Sequence, residues 1–269
     1  MQVAIQVAKT STALETKNIG LFNLVGKEAE MIVRRAGDCG VTLRLIGGLA
    51  VQFHCHGLRS AYLREHSDID VFGLSEQYDG IFTVFHQLGY IPNNEFNAWC
   101  GHNRLQFLRG EHQKNVDVFL DKFEMDHTLD FRSRLWLDDL TIPVTDLLLT
   151  KLQIARFEAK DARDVVAILE DHELGHSDER EIINLDYLGN LCSRDWGLYR
   201  SVMDNIDRIM EFIAQDAAGI RWSEDLTQKV ETIRCSLMAT RKGLRWRTRS
   251  IVGDKVKWYN EVEAGEGEA

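Results

Sequence analysis

The sequence predicts an α+β fold: a small mixed sheet flanked by helices over residues 1–174, then a helical C-terminal domain over 175–269. Three observations point there. Short apolar runs that read as strands fall at 41–46, 68–73, 104–108 and 116–120. Longer stretches with apolar residues three and four apart lie among them and read as helices. Past Gly175 the chain reads as helices with no strand signal, which puts a boundary near 172–180.

Taken in order, Leu21, Leu24, Val25, Ile32 and Val33 give one apolar face to a helix over 17–37, ended by Gly37 and Gly40. Val41–Ile46 is a strand, Leu49–His56 a helix with Gly57 as its stop, and the run through Gly73 a second strand. Ser75 is placed to cap a helix through Leu88, which Gly89 ends. Arg104–Leu108, Val116–Leu120 and Leu135–Leu137 read as short strands. Pro143 opens a helix to about Phe157, and another runs from Lys160 to Leu169. The tail Glu261–Ala269 is acidic and glycine-rich.

With 44% hydrophobic and 28% charged residues, the 269-residue chain can bury a substantial core. Its net charge of −10 argues against whole-chain attraction to nucleic acid. The first residues show no signal-peptide pattern, and no apolar run is long enough to span a bilayer, so no membrane partner is expected. Five scattered cysteines without a Cys-x-x-Cys pair fit a reduced, cytoplasmic compartment.

The stretch that bears chemistry is Leu45-Ile46-Gly47-Gly48-Leu49-Ala50, followed after residues 51–66 by Ser67-Asp68-Ile69-Asp70-Val71-Phe72. A strand ending in two glycines before a helix presents backbone N–H groups to a phosphate. Asp68 and Asp70 are two apart in a strand-like run, so both carboxylates point one way. Such a pair repels itself unless a divalent cation lies between, and hard oxygen ligands suit Mg²⁺. A third carboxylate, Asp117, stands in Asn115-Val116-Asp117-Val118, its valines facing the opposite side. If its strand neighbours that of Asp70, three carboxylates meet. Read alone, Asp117 is as well explained as a solvent-facing strand residue. Further along, Lys151 is followed by Lys160-Asp161-Ala162-Arg163-Asp164, with Asp161 and Asp164 on one helix face. On spacing alone, a solvated face of charge pairs accounts for that run.

Together these residues resemble the polymerase-β-type nucleotidyltransferase superfamily, whose signature is a Gly-Gly or Gly-Ser turn, then Asp-x-Asp, then an acidic residue on a later strand. The nearest branch is the nucleotidyltransferase toxins of toxin–antitoxin and abortive-infection systems, which add a lysine motif and Lys-Asp-x-x-Asp. The matching residues are Gly47, Gly48, Asp68, Asp70, Asp117, Lys151, Lys160, Asp161 and Asp164, within about residues 41–170. The interval 49–67 is longer than in the family's compact form.

The resemblance implies a nucleotidyltransferase fold and Mg²⁺-dependent transfer of an NMP from an NTP such as ATP to a hydroxyl acceptor, RNA or a small molecule. Asp68, Asp70 and Asp117 would hold two Mg²⁺ ions. Gly47, Gly48, Ser67, Lys151 and Lys160 would bind the nucleotide, and Asp161 or Asp164 would orient the acceptor. A cognate antitoxin protein would be a partner. The alternatives are a small-molecule adenylyltransferase and a nucleotide-binding regulatory protein that transfers nothing.

Two rival motifs remain. His54-Cys55-His56 with Cys100-Gly101-His102 offers zinc-ligand types at a spacing that fits no closed site, so packed cysteines and satisfied histidines are the better reading. Arg241-Lys242-Gly243-Leu244-Arg245-Trp246-Arg247-Thr248-Arg249, with Lys255, Lys257 and Trp258, suits phosphate contact with base stacking, a helix packing on the acidic N-terminal domain, or simply a solvated face.

Overall fold

The computed structural model describes residues 24–55, 68–109, 114–215, 222–223 and 225–261. Mixed α+β structure is what it shows, in two compact units. The first runs to Asp121 and takes in Arg132–Ile142; the second comprises Lys122–Phe131 and the chain from Pro143 onward.

The described part of the first unit opens with helix α1 over 24–38. Val25, Ala29, Ile32, Val33 and Ala36 repeat at three- and four-residue intervals and are buried, while Leu24 is exposed. Gly40, at φ +71°, lets the chain turn back so that Val41 N–H reaches Ala36 O at 2.8 Å. Then follow β1 (Leu43–Leu45), α2 (Gly47–His54), β2 (Ile69–Gly73), α3 (Tyr78–Gln87), β3 (Ile91–Pro92), α4 (Asn94–Cys100), β4 (Arg104–Arg109) and β5 (Lys114–Leu120). Ser67, the arginines of 59–64 and the Gly57 stop lie outside the described residues.

The five strands form one sheet in the order β1-β2-β5-β4-β3. β2 and β5 are parallel, and the other pairs are antiparallel. Register places Leu43, Leu45, Ile69, Val71, Leu105, Phe107, Val116, Val118 and Leu120 on one face, all buried. Phe85 of α3 stacks on Phe107 with centroids 4.1 Å apart. Each such buried aromatic contributes roughly 1.5–3 kcal/mol of apolar burial.

The second unit carries a hairpin, β6 (Lys122–Glu124) and β7 (Thr128–Asp130), then α5 (Val144–Leu152) and α6 (Ala159–Asp171). After them come β8 (Glu173–Gly175), β9 (Ile182–Asn184), α7 (Leu185–Arg194), α8 (Trp196–Ala214), α9 (Leu226–Ala239) and α10 (Leu244–Val252). Val165, Ile168, Leu188, Val202, Ile206, Val230 and Ile233 are among its buried core residues. The buried ammonium of Lys229 donates to Leu169 O and His172 O, satisfying carbonyls at the end of α6.

Several expectations need correction. Residues 135–137 belong to a 3₁₀ turn (Arg132–Leu137), not a strand; Trp136 is 72% exposed, so three apolar letters in a row made no two-sided pattern. The stretch past Gly175 does hold a strand, β9, paired in parallel with β8, each three residues long and too short to show a period. Ser75 does not cap α3: its hydroxyl donates to Asp121, and the first turn is 3₁₀. Helix α5 stops at Leu152, because tertiary bonds replace the next helical ones. Asn205 Nδ2 donates to Leu152 O and Ile154 O, and Asp126 accepts from Ala155 N–H. Pro143 does sit at its N-cap, with Leu147 N–H reaching Pro143 O.

Candidate active site

On the sheet face opposite Val116 and Val118, β2 and β5 set Asp70 directly beside Asp117 as paired positions of a parallel ladder. Adjacent strands lie ~4.8 Å apart, so two carboxylates share one small patch of sheet. Asp117 is 6% exposed, which corrects its reading as a solvent-facing residue, and its neighbours Val116 and Val118 are fully buried on the other face. Asp68 lies one residue before β2 and is exposed, so it leads into the strand instead of alternating within it.

The glycine turn reaches this patch despite the long interval after it. Ile46 N–H donates to Asp70 O at 3.0 Å, tying the end of β1 to β2. Gly47 then takes φ +76°, a conformation that L side chains rarely adopt. A Cβ there would stand 2.8 Å from Asp70 Oδ2. Both facts require glycine. Helix α2 starts at Gly47 with no side-chain cap, and Gly48 occupies its first turn. A helix N-terminus favours negative charge, so it suits the Asp70 carboxylate or a phosphate there.

Two further residues join the patch. Gln106 is paired directly opposite Asp117 across β4–β5, and Arg104 sits two residues before it on the same face. Arg104 Nε donates to Asp117 Oδ1 at 3.1 Å and Gln106 Nε2 to the same oxygen at 3.3 Å. Neither was singled out from sequence. The polar alternation Arg104-Leu105-Gln106-Phe107 was the available signal, but it names a partner only once register is known.

The remaining candidates lie in the second unit. Lys151 Nζ and Asp164 Oδ2 form a buried ion pair at 2.8 Å that ties α5 to α6. Asp161 completes a capping box: its Oδ2 accepts from Glu158 N–H at 3.1 Å, while the Glu158 side chain accepts from the Asp161 backbone. Burial raises the Asp161 carboxyl above its usual range, the capping bond and Lys151 opposing that shift. Lys160 is half-exposed, with Glu158 Oε2 at 3.4 Å.

Among the described residues, Cys55, Cys100 and His102 join no group of three or more metal-ligand side chains. The buried His54 ring meets Thr141 Oγ1 at 2.7 Å and Ile142 O at 3.1 Å, and none of the five cysteines is in a disulfide. The basic C-terminal run packs on helices of its own unit. Trp246 Nε1 donates to Cys192 O, Trp258 Nε1 to Ser201 Oγ, and Arg249 stands 4.5 Å above the Trp196 ring. Arg241, Arg245 and Arg247 stay exposed.

Fold and site thus define an α+β chain with a carboxylate pair set against a left-handed glycine turn. No protein-family model and no curated protein matches the chain. Among solved structures it is similar to lincosamide antibiotic adenylyltransferase LnuA, lincomycin-bound, at 18% identity and TM-score 0.39, over 52% of this chain and 94% of that one. A second is the antibiotic-resistance factor ANT(2'')-Ia, at 14% identity and TM-score 0.35, over 56% of this chain and 83% of that one. Both likenesses are distant and partial.

Proposed function

We propose that the chain is a Mg²⁺-dependent nucleotidyltransferase that moves an NMP from an NTP to a hydroxyl acceptor. The observation that carries this reading is Gly47 held in left-handed backbone against the Asp70 carboxylate, with Asp117 paired beside it. The donor set fits a hard divalent cation, being carboxylate oxygens on adjoining strands with Asp68 at their mouth. Asp70 and Asp117 would hold the metal, with Asp68 completing the set for a second ion. When bound, Mg²⁺ supplies charge neutralisation to the phosphates.

The protein's own groups do the rest. Gly47 keeps the turn bare, and the uncapped start of α2 offers N–H groups to a phosphate. Asp117, held by Arg104 and Gln106, stays ordered beside Asp70 and is placed to help activate an attacking hydroxyl. Lys151 as a cation towards the triphosphate, Lys160 as a nucleotide ligand and Asp161 or Asp164 as the acceptor-orienting group are the roles the resemblance implies. The buried Lys151–Asp164 pair gives the first of these a competing, structural explanation.

RNA, in a toxin-like reaction with an antitoxin partner, is the first acceptor reading and a small molecule the second. Exposed Arg241, Arg245 and Arg247 support the first as phosphate contacts, although the packed tryptophans take base stacking away from it. Among the described residues no helix is long and apolar enough to cross a membrane.

The test incubates purified protein with each labelled NTP and Mg²⁺, once with total RNA and once with a panel of hydroxyl-bearing small molecules. Label transfer that EDTA and Asp70→Asn both abolish supports the reading. Nucleotide binding without turnover turns it into the regulatory alternative, and no Asp70-dependent binding or transfer ends it.

A further inference from the structure

Arg104 has more hydrogen-bonding capacity than its place in the fold uses. Its guanidinium lies against two rings, 4.7 Å from the Phe119 centroid and 5.7 Å from that of Phe96. One donor, Nε, goes to Asp117 Oδ1. A guanidinium has five N–H donors, and among the described residues the other four meet no acceptor. The side chain is 35% exposed, whereas that of Asp117 is 8%. Asp117 would also keep its bond from Gln106 Nε2 if Arg104 turned away.

A fixed planar fork beside a carboxylate patch, with donors unspent and solvent at hand, matches a phosphate better than a single carboxylate oxygen. Its charge also lowers the pull of Asp117 on any cation. We infer that Arg104 is a phosphate-binding residue that keeps Asp117 as its counter-ion until an anionic nucleotide takes over the guanidinium. This rests on the carboxylate patch being the metal and nucleotide site proposed above. Its consequence is coupling: the patch binds a divalent cation weakly alone and more tightly once a nucleotide has engaged Arg104.

The experiment uses the full chain and reads binding, not turnover. Mn²⁺ affinity is measured by electron paramagnetic resonance without nucleotide, and the affinity for a non-hydrolysable ATP analogue is measured with Ca²⁺ present. Arg104→Met keeps the apolar stem and loses the charge. It should bind Mn²⁺ about tenfold tighter, an ordinary pairwise coupling, and the nucleotide about tenfold more weakly. Arg104→Lys keeps the charge without the fork, so Mn²⁺ affinity should stay near wild type and nucleotide affinity fall between the two. A residue that only braces Asp117 would, when removed, weaken both affinities or change neither, and either result overturns the inference. If Arg104→Met melts early, Arg104→Gln supplies the same uncharged comparison. Asp70→Asn separates the two levels. Mn²⁺ binding that ignores Asp70→Asn ends the carboxylate-site reading and this inference together, whereas an Asp70-dependent site indifferent to Arg104 ends only the role given to Arg104.

Discussion

Gly47→Ala tests the turn on which the site reading depends. Two costs arise at once. An alanine at φ +76° carries the left-handed penalty of roughly 1–2 kcal/mol. Its Cβ would also stand 2.8 Å from Asp70 Oδ2, where ordinary contact starts at 3.4 Å, so turn or carboxylate must move. Overpacking of that kind costs ~1–3 kcal/mol. The sum is about 2–5 kcal/mol, and at ~2–4 °C per kcal/mol the melting temperature should drop measurably. Only the second cost depends on Asp70. In an Asp70→Ala background, Gly47→Ala should therefore lose just the backbone part, giving a coupling of about 1–3 kcal/mol in a double-mutant cycle by urea denaturation. If the two changes prove additive, the turn does not bear on the carboxylate and the proposed site loses its geometry. Metal-dependent nucleotide binding, followed in parallel, should fall in both single variants.

Asp70→Asn should remove Mg²⁺-dependent transfer with little loss of stability, since neutralising one of two close carboxylates relieves repulsion; Asp117→Asn should remove it as well, at the cost of the ion pair with Arg104, and turnover near wild type in either would refute the metal assignment. Lys151→Ala takes the ammonium away from the buried Asp164 carboxylate, so unfolding should become easier by ~3–5 kcal/mol, with much of it restored in Lys151→Ala/Asp164→Asn; an unchanged melting curve would show the pair to be idle. Arg249→Ala should cost about 1–2 kcal/mol through its lost stacking on Trp196 and its bonds to Gly253 O and Val256 O. Replacing Arg245 and Arg247 should leave the melting temperature alone and, if RNA is the acceptor, flatten the salt dependence of its binding. Burial pushes the His127 imidazolium below its ordinary 6.5, with Asp195 and Asp126 opposing. A depressed folded value means the unfolded chain binds the proton first as pH falls. Stability should decline below about pH 6.5, and His127→Gln should flatten that slope in unfolding curves taken from pH 8 to 5.

What could be read in advance depended on local pattern. Gly47, Asp70 and Asp117 stood out because a glycine turn, an Asp two residues into an apolar run and an Asp between valines each mark a sheet face without reference to the rest of the chain. The helical face of Val25, Ile32 and Val33 was legible for the same reason. Arg104 and Gln106 were not, because their pairing with Asp117 is a matter of which strands adjoin and in what register, and a sequence carries no local mark of either. Tertiary bonds likewise overrode local propensity at the end of α5, where Asn205 and Asp126 claim groups that a continuing helix would have used. The Leu135–Leu137 run failed as a strand because three residues give no period to test.

The parallel pairing of β2 with β5 has a bearing on how the protein is made. β5 lies in the middle of the sheet yet is the last of its five strands in chain order. During synthesis, β1 can pair with β2 and β3 with β4 while β2 and β4 still present open edges to one another. The strand bearing Asp117 must thread between them. A nascent chain halted before Lys114 would hold the glycine turn, Asp70 and Arg104, but in two unjoined strand pairs. Both carboxylates come together only when the two halves of the sheet are zipped by one late strand, so the newborn chain lacks the Asp70–Asp117 pair until its fifth strand has been made.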